Sequence, residues 1–292
     1  MCFFTNSYSG IIFTIAVLLA DPRVLLASLL ACICATGVGA CLPLTADRRD
    51  GLLGYNAILV GAGLAMCLRS LLWCLVSSAI AGACSTLLYL GLGKVLKTQL
   101  TLSFNITTLL SLVVLKCCGQ LTTPDSDTSV QVVDVLSLTQ ATLSGMSEIF
   151  LVSSPWSGML VIIGICMYSP WAAFTSTLGS FVGTLLGVAF NASPARLSDG
   201  IWGYNGALVA LWATLHLHPA LGPASTGLLA PCAALLSTCV FLGLEQLVKM
   251  SQGWIPTCFT LPCILVALLL VSLKHCAMCI SAKAEPKPMT EP

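Results

Sequence analysis

Apolar residues form long stretches along almost the whole chain, and short polar segments separate them. A stretch of about 18–25 apolar residues can cross a hydrocarbon core of about 30 Å as a helix. Because lipid offers the backbone no hydrogen-bonding partner, such stretches must be helical. Two shorter apolar runs, around 98–103 and 142–153, are predicted to be half-crossing segments packed inside the protein. The predicted long helices cover residues 10–20 with their flank, 23–42, 57–77, 78–95, 104–118, 158–177, 178–190, 201–217, 224–246 and 262–282.

The polar interruptions recur along the chain and indicate an internal duplication. Gly-Tyr-Asn occurs at residues 54–56 and again 149 positions later, at 203–205. Residues 100–103 match 259–262 at a longer offset, so the second half carries an insertion between these two features. Many transporters are built from two such repeats, with the substrate site near the bilayer midplane where the repeats meet. The duplication therefore predicts a transport pathway between two halves.

Composition supports a membrane protein. The chain is 57% hydrophobic and 8% charged, with a mean hydropathy of +0.98, which is more apolar surface than a soluble domain can bury. We expect a first half at residues 1–118, a polar inter-repeat loop at 119–131, a second half at 132–282 and a tail at 283–292. Lysines concentrate near the C-terminus, which by the positive-inside tendency makes this tail cytoplasmic.

Several function classes are excluded by what the sequence lacks. A net charge of +1 does not favour nucleic acid as a partner. No paired carboxylates, nucleophile–base pattern, P-loop or dinucleotide fingerprint occurs, so neither an enzyme nor an ATP-driven pump is predicted. Most of the 16 cysteines lie in apolar runs as small hydrophobes. Cys276 and Cys279 have metal-ligand spacing without a second pair, so we expect no metal and no cofactor; palmitoylation is the alternative there.

A few polar groups at membrane depth are the candidate site. Glu148 lies in an apolar segment, where a carboxyl is costly unless it faces a cavity or a partner; alternatively it is an interfacial residue that caps the next helix. Thr101 and Thr260 recur at matched positions, and Pro262 cannot donate a backbone hydrogen bond. We expect these interrupted helices to expose carbonyl oxygens to a pore. The alternative for each threonine is a bond to its own helical turn.

Aromatic and leucine side chains recur beside these groups. In each half a tyrosine and a leucine are spaced i, i+4 and so share one helix face, which predicts a flat apolar slot between the halves. The alternative is ordinary core packing. Asn56 and Asn205 are expected to tie helix starts together. The two pairs are Tyr55 with Leu59 and Tyr204 with Leu208.

These motifs, in this order and repeated, resemble the urea transporter family. The resemblance extends from residue 3 to about residue 272. It implies an all-α multi-spanning membrane protein whose two inverted-repeat halves, with re-entrant half-helices, surround a central pore. It also implies a homotrimer at the plasma membrane, in contact with lipid, in which each subunit passes urea passively down its gradient. The matching segments are residues 51–61, 100–105, 154–158, 169–170 and 200–205.

The resemblance also implies roles for individual residues. One set lines the slot, and a second set supplies polar groups near the substrate. Urea is planar and neutral, with N–H donors and one carbonyl, so a selective pore should pair acceptor oxygens with aromatic or apolar walls. The slot residues are Phe3, Tyr55, Leu59, Tyr204 and Leu208, and the polar residues are Glu148, Thr101 and Thr260.

The sequence also departs from the family pattern. The family begins with a further helical stretch and a half-helix that carries a glutamine equivalent to Glu148, whereas this sequence starts just after that point. Ser7 and Ser103 stand where prolines are expected, and Pro256 lies one residue further from Thr260 than usual. We therefore expect an N-terminally incomplete first half, from an incomplete gene model or isoform or from a diverged copy.

Two other functions stay open from the sequence. The first is a channel for a related small neutral solute such as ammonia, water or a short amide. The second is a transport-impaired subunit that associates with intact relatives through the trimer surface.

Overall fold

A computed structural model describes residues 6–42, 51–96, 98–121, 134–251 and 257–284. Within this part the regular structure is helical, apart from one isolated antiparallel bridge between Leu68 and Leu121. A 3-10 turn, Glu148–Phe150, follows α6. The helices are α1 (Ser7–Ala20), α2 (Pro22–Ala40), α3 (Leu52–Cys67), α4 (Leu71–Gly93), α5 (Leu102–Cys117), α6 (Val135–Ser147), α7 (Pro155–Cys166), α8 (Pro170–Ala189), α9 (Pro194–Ser198), α10 (Tyr204–Met250) and α11 (Leu261–Ala284).

Several of these helices are long and apolar enough to cross a membrane. They are α2, α4, α8 and the Leu221–Met250 part of α10. A fifth span is possible if α6 and α7, which are bent by 68° across a short break, count as one broken crossing. Helix α10 itself is kinked at Gly222, whose backbone is not helical (φ 76°, ψ 172°). The prediction of an all-α protein with many spans is confirmed.

The boundaries of the helices were predicted less accurately than their existence. The predicted runs 57–77 and 158–177 each cross a break that the structure places before α4 and α8. The reason is capping, because Ser70 accepts from the Trp73 N–H and Ser169 accepts from the Ala172 N–H at 3.2 Å. One serine can start a new helix without lowering the average hydropathy of the run.

The two short apolar runs have different outcomes. Residues 142–153 contain the end of α6, the 3-10 turn and the bend toward α7, so the prediction of an interrupted crossing there is confirmed. Residues 98–101 are not helical, and α5 begins only at Leu102. The run 98–103 is therefore a break in front of a helix and not a half-crossing helix of its own.

The duplication is visible in the backbone. Four helices of the first half have counterparts in the second half. Helix α1 corresponds to α7, α2 to α8, α3 to the first part of α10, and α5 to α11. Gly51 (φ 70°) and Gly200 (φ 80°) take the same left-handed conformation, at positions 149 apart. The insertion predicted for the second half falls largely in a longer helix, since Leu221–Met250 has 30 residues and α4 has 23.

Contacts between equivalent helices join the halves. Helix α1 packs on α7, where the Ser157 hydroxyl donates to the Ala16 carbonyl at 2.8 Å. Helix α5 contacts α11, and these two helices are also equivalent in the repeat. Large apolar side chains stay exposed on the outside, such as Leu72, Trp156 and Leu228. An outer surface of this kind suits a lipid solvent.

Candidate functional site

Two residues with left-handed backbone mark the breaks before α5 and α11. Leu100 (φ 47°) and Phe259 (φ 43°) occupy equivalent positions in the two halves. Residues other than glycine rarely adopt this conformation, which costs on the order of 1–3 kcal/mol and persists where the surroundings hold it. Each directly precedes a predicted site threonine, Thr101 or Thr260. The strained backbone therefore lies at the candidate site in both halves.

Side chains from α3 hold the first break in place. The Tyr55 hydroxyl donates to the Leu100 carbonyl, and the Asn56 Nδ2 donates to the same oxygen at 3.4 Å. The Asn56 Oδ1 in turn accepts from the Phe104 N–H at 3.3 Å. This bond satisfies one of the free N–H groups at the start of α5. The tyrosine–asparagine pair thus fixes both the strained turn and the helix that follows it.

The second half repeats this arrangement. The Tyr204 hydroxyl and the Asn205 Nδ2 (3.2 Å) donate to the Phe259 carbonyl, and the Asn205 Oδ1 accepts from the Cys263 N–H at 3.3 Å. The expectation that the asparagines tie helix starts is confirmed. The Leu100 and Phe259 carbonyls each accept two hydrogen bonds, so these two oxygens are not among the exposed carbonyls that the sequence predicts.

The two halves meet at the threonines. The hydroxyl oxygens of Thr101 and Thr260 lie 2.8 Å apart, and both side chains are buried. Since these residues are equivalent in the repeat, their direct contact marks the place where the halves face each other. The rings of Phe104 and Phe259 pack edge to face beside them, with centroids 5.3 Å apart. This contact agrees with the sequence match that pairs Thr260 with Thr101.

A third polar residue, Asn105, completes what we call the central site: Thr101, Thr260 and Asn105. Its Nδ2 donates to the Thr260 hydroxyl at 2.7 Å and to the Thr101 carbonyl at 2.9 Å. Its Oδ1 is buried and has no hydrogen-bond partner among the described residues. The sequence reasoning missed Asn105, although it follows Thr101 by four positions and so shares one face of α5.

Glu148 lies at the break between α6 and α7. It begins the 3-10 turn, which is followed by the left-handed Leu151 (φ 59°), and its side chain is only 3% exposed. No described residue forms a hydrogen bond or an ion pair with its carboxyl group. The end of α6 packs closely on the start of α10, the helix that begins at Tyr204. Gly145 of α6 lies so near Gly203, the residue before Tyr204, that an added Cβ would be only 3.1 Å from the Gly203 Cα. A buried carboxyl without a partner in the described part of the chain fits a group that faces a cavity.

The remaining predicted residues have mixed outcomes. Leu59 and Leu208 are buried in one continuous hydrophobic cluster that also contains Tyr204. Tyr55 is partly exposed and packs edge to face on Tyr89, with ring centroids 6.2 Å apart. Phe3 lies outside the described residues, as does Pro256. No group of side chains suited to hold a metal ion occurs in the described part of the chain.

Comparison with known proteins decides the family. A family model described as "Urea transporter" matches residues 1–275. The chain belongs to the urea transporter family. Together with its membrane-length helices, this membership makes it a multi-pass membrane protein.

Relatives are aligned over much of the chain. Urea transporter 1 of sheep (Ovis aries) and that of goat (Capra hircus) are each 30% identical to it over 294 residues, covering 93% of this chain and 73% of the relative. Urea transporter 1 of rat (Rattus norvegicus) is 29% identical over 128 residues, or 44% of this chain. That match spans 33% of the rat protein.

Proposed function

We propose that this protein passes urea passively and selectively across a membrane, through a narrow pore in each subunit of a homotrimer. The observation that carries the proposal is the pair of equivalent threonines, Thr101 and Thr260, in contact where the two halves meet. A transport pathway between repeats needs polar groups at that depth. Family membership and the names of the relatives favour urea as the solute.

The chemistry of the buried groups suits urea. The central site offers hydroxyl oxygens and the free Asn105 Oδ1 to N–H donors, while Phe104 and Phe259 supply apolar surface beside them. Since each hydrogen bond exchanged with water has a net value of only about 1 kcal/mol, binding is weak and release is fast. Passive conduction requires this combination.

Separate groups take separate roles in this proposal. Leu59 and Leu208 form the walls of the slot, with Tyr55 and Tyr204 beside them. Each tyrosine also uses its hydroxyl to hold a strained turn, so it contributes to both wall and framework. Glu148 contributes an acceptor oxygen where the broken crossing bends. The family resemblance adds Phe3, which lies outside the described residues, to the proposed slot residues.

The test is stopped-flow efflux from vesicles that contain the purified protein. Urea efflux well above that of empty vesicles, driven by the urea gradient alone, is the expected result. The same vesicles are loaded with ammonia, acetamide and formamide, and their water permeability is measured. Faster passage of one of those solutes than of urea would favour a related channel. No flux of any solute, with co-purification of an intact relative, would favour a transport-impaired subunit.

A further inference from the structure

The orientation of the Asn105 amide follows from its neighbours. One terminal atom lies 2.9 Å from the Thr101 carbonyl oxygen, which can only accept. The atom at that position must therefore be the nitrogen, because two facing oxygens would repel each other. The same nitrogen lies 2.7 Å from the Thr260 hydroxyl. Both amide hydrogens are thus used, and the Thr260 oxygen accepts one of them.

This hydrogen bond influences which of the two threonine hydroxyls donates to the other. Between Thr101 and Thr260 only one hydroxyl hydrogen is shared, so one of the two hydroxyl groups keeps a hydrogen free. A hydroxyl that accepts a hydrogen bond becomes a better donor, because successive bonds polarise one another. Thr260 accepts from Asn105, and this polarisation makes Thr260 the favoured donor to Thr101. The free hydrogen is then the one on Thr101.

The two halves differ at the residue that imposes this direction. The position equivalent to Asn105 in the second half is Ile264, which is buried and has no polar atom in its side chain. The equivalent position therefore supplies no donor to Thr101 that would favour the opposite direction of the hydrogen bond. The chain of bonds runs one way, from Asn105 through Thr260 to Thr101.

We propose that Asn105 is a positioning residue that makes the central site a hydrogen-bond donor as well as an acceptor. The inference rests on the proposed function, because it assigns the free Thr101 hydrogen to the carbonyl oxygen of passing urea. It also predicts that the site discriminates between solutes by the strength of their acceptor atom. Thiourea, whose sulfur is a weak acceptor, gains little from this donor.

Two apolar variants separate positioning from packing. In Asn105→Leu the side chain keeps a similar size, but nothing directs the threonine pair. Asn105→Ala removes the amide without adding a branched side chain. Ile264→Leu, at the equivalent position, is the matched control.

Urea and thiourea efflux from vesicles are measured for the unaltered chain and the three variants. The ratio of urea to thiourea flux should fall about two- to fivefold in Asn105→Leu and in Asn105→Ala, since one whole net hydrogen bond is worth about fivefold. In Ile264→Leu the ratio should not change. A purely structural role would lower both fluxes together and leave the ratio intact.

The outcomes keep the two proposals apart. Urea flux in the unaltered chain with an unchanged ratio in both Asn105 variants overturns the inference and leaves the proposed function standing. Absence of urea flux in the unaltered chain overturns both. If Asn105→Leu does not fold, Asn105→Ala decides alone.

Discussion

The two halves of the molecule share a framework and differ in chemistry. Both place a left-handed residue before a threonine, and in both a tyrosine–asparagine pair binds the carbonyl of that residue. One helical turn further on, the first half has Asn105 and the second half has Ile264. Duplication has thus preserved the geometry that brings the threonines together, while the polar side chains around them have diverged.

This difference has a physical reason. The framework must repeat, because the strained turns at Leu100 and Phe259 persist only where several hydrogen bonds hold them. In the proposed function the polar groups need not repeat, because urea is not symmetric along its own axis. Urea has a carbonyl oxygen at one end and amino groups at the other, and a site with one donor side would match it. The predictions below separate the shared framework from the divergent chemistry.

The largest effect is expected from filling the slot. Leu208→Trp should lower urea flux about tenfold or more, because a bulkier ring would fill the slot proposed above. Leu59→Trp, its equivalent in the first half, should act in the same direction. Leu228→Trp is the control, because Leu228 is 74% exposed on the outer surface. Stopped-flow efflux with assembly checked by size-exclusion chromatography measures this. Normal flux through well-assembled Leu208→Trp would remove Leu208 from the pathway.

The next largest effect is expected at Glu148, a buried polar group at the break between α6 and α7. Glu148→Leu should lose most urea transport, since it leaves desolvated N–H groups without an acceptor at about 1–3 kcal/mol per lost partner. Glu148→Gln keeps one acceptor oxygen and should conduct within a few-fold of the unaltered chain. Vesicles with equal amounts of each folded variant give the comparison. If the Glu148→Leu variant conducts normally, Glu148 is structural; if Glu148→Gln fails as badly as Glu148→Leu, the negative charge is needed.

Substitutions in the shared framework should lower the free energy of unfolding. Tyr204→Phe removes one of the two bonds to the strained Phe259 carbonyl and should lower the free energy of unfolding by about 1 kcal/mol. Tyr55→Phe should cost less, because Tyr55 is partly exposed. Thermal unfolding in detergent measures both variants. An unchanged Tm in Tyr204→Phe would show that Asn205 alone holds the turn.

The smallest effect compares two equivalent serines. Ser157 donates to the Ala16 carbonyl at 2.8 Å, whereas the buried Ser9 hydroxyl has no partner among the described residues. Ser157→Ala should therefore lower the free energy of unfolding by about 1 kcal/mol, and Ser9→Ala should be neutral or stabilising. The two Tm values, measured side by side, test this. Equal losses would mean that the two hydroxyls have equivalent partners.

Much of the fold was predictable because span length and the repeat are properties of the whole sequence. The breaks were harder, because a single capping serine such as Ser70 starts a helix inside an apolar run. Glu148 was identifiable, since a carboxyl in an apolar segment is conspicuous. Asn105 was not, because its importance depends on Thr260, which lies 155 residues away and reaches it only in the fold.

The claim that urea passes where the halves meet is tested most directly at the threonines. The double variant Thr101→Val and Thr260→Val keeps shape but removes both hydroxyls from the central site. Its control is Thr175→Val with Thr214→Val, another buried pair whose hydroxyl oxygens lie 2.7 Å apart within the second half. In stopped-flow urea efflux we expect about a tenfold loss for the first pair, from two hydrogen bonds of about 1 kcal/mol each with partial compensation, and little change for the control. Equal flux in the two double variants would contradict the account.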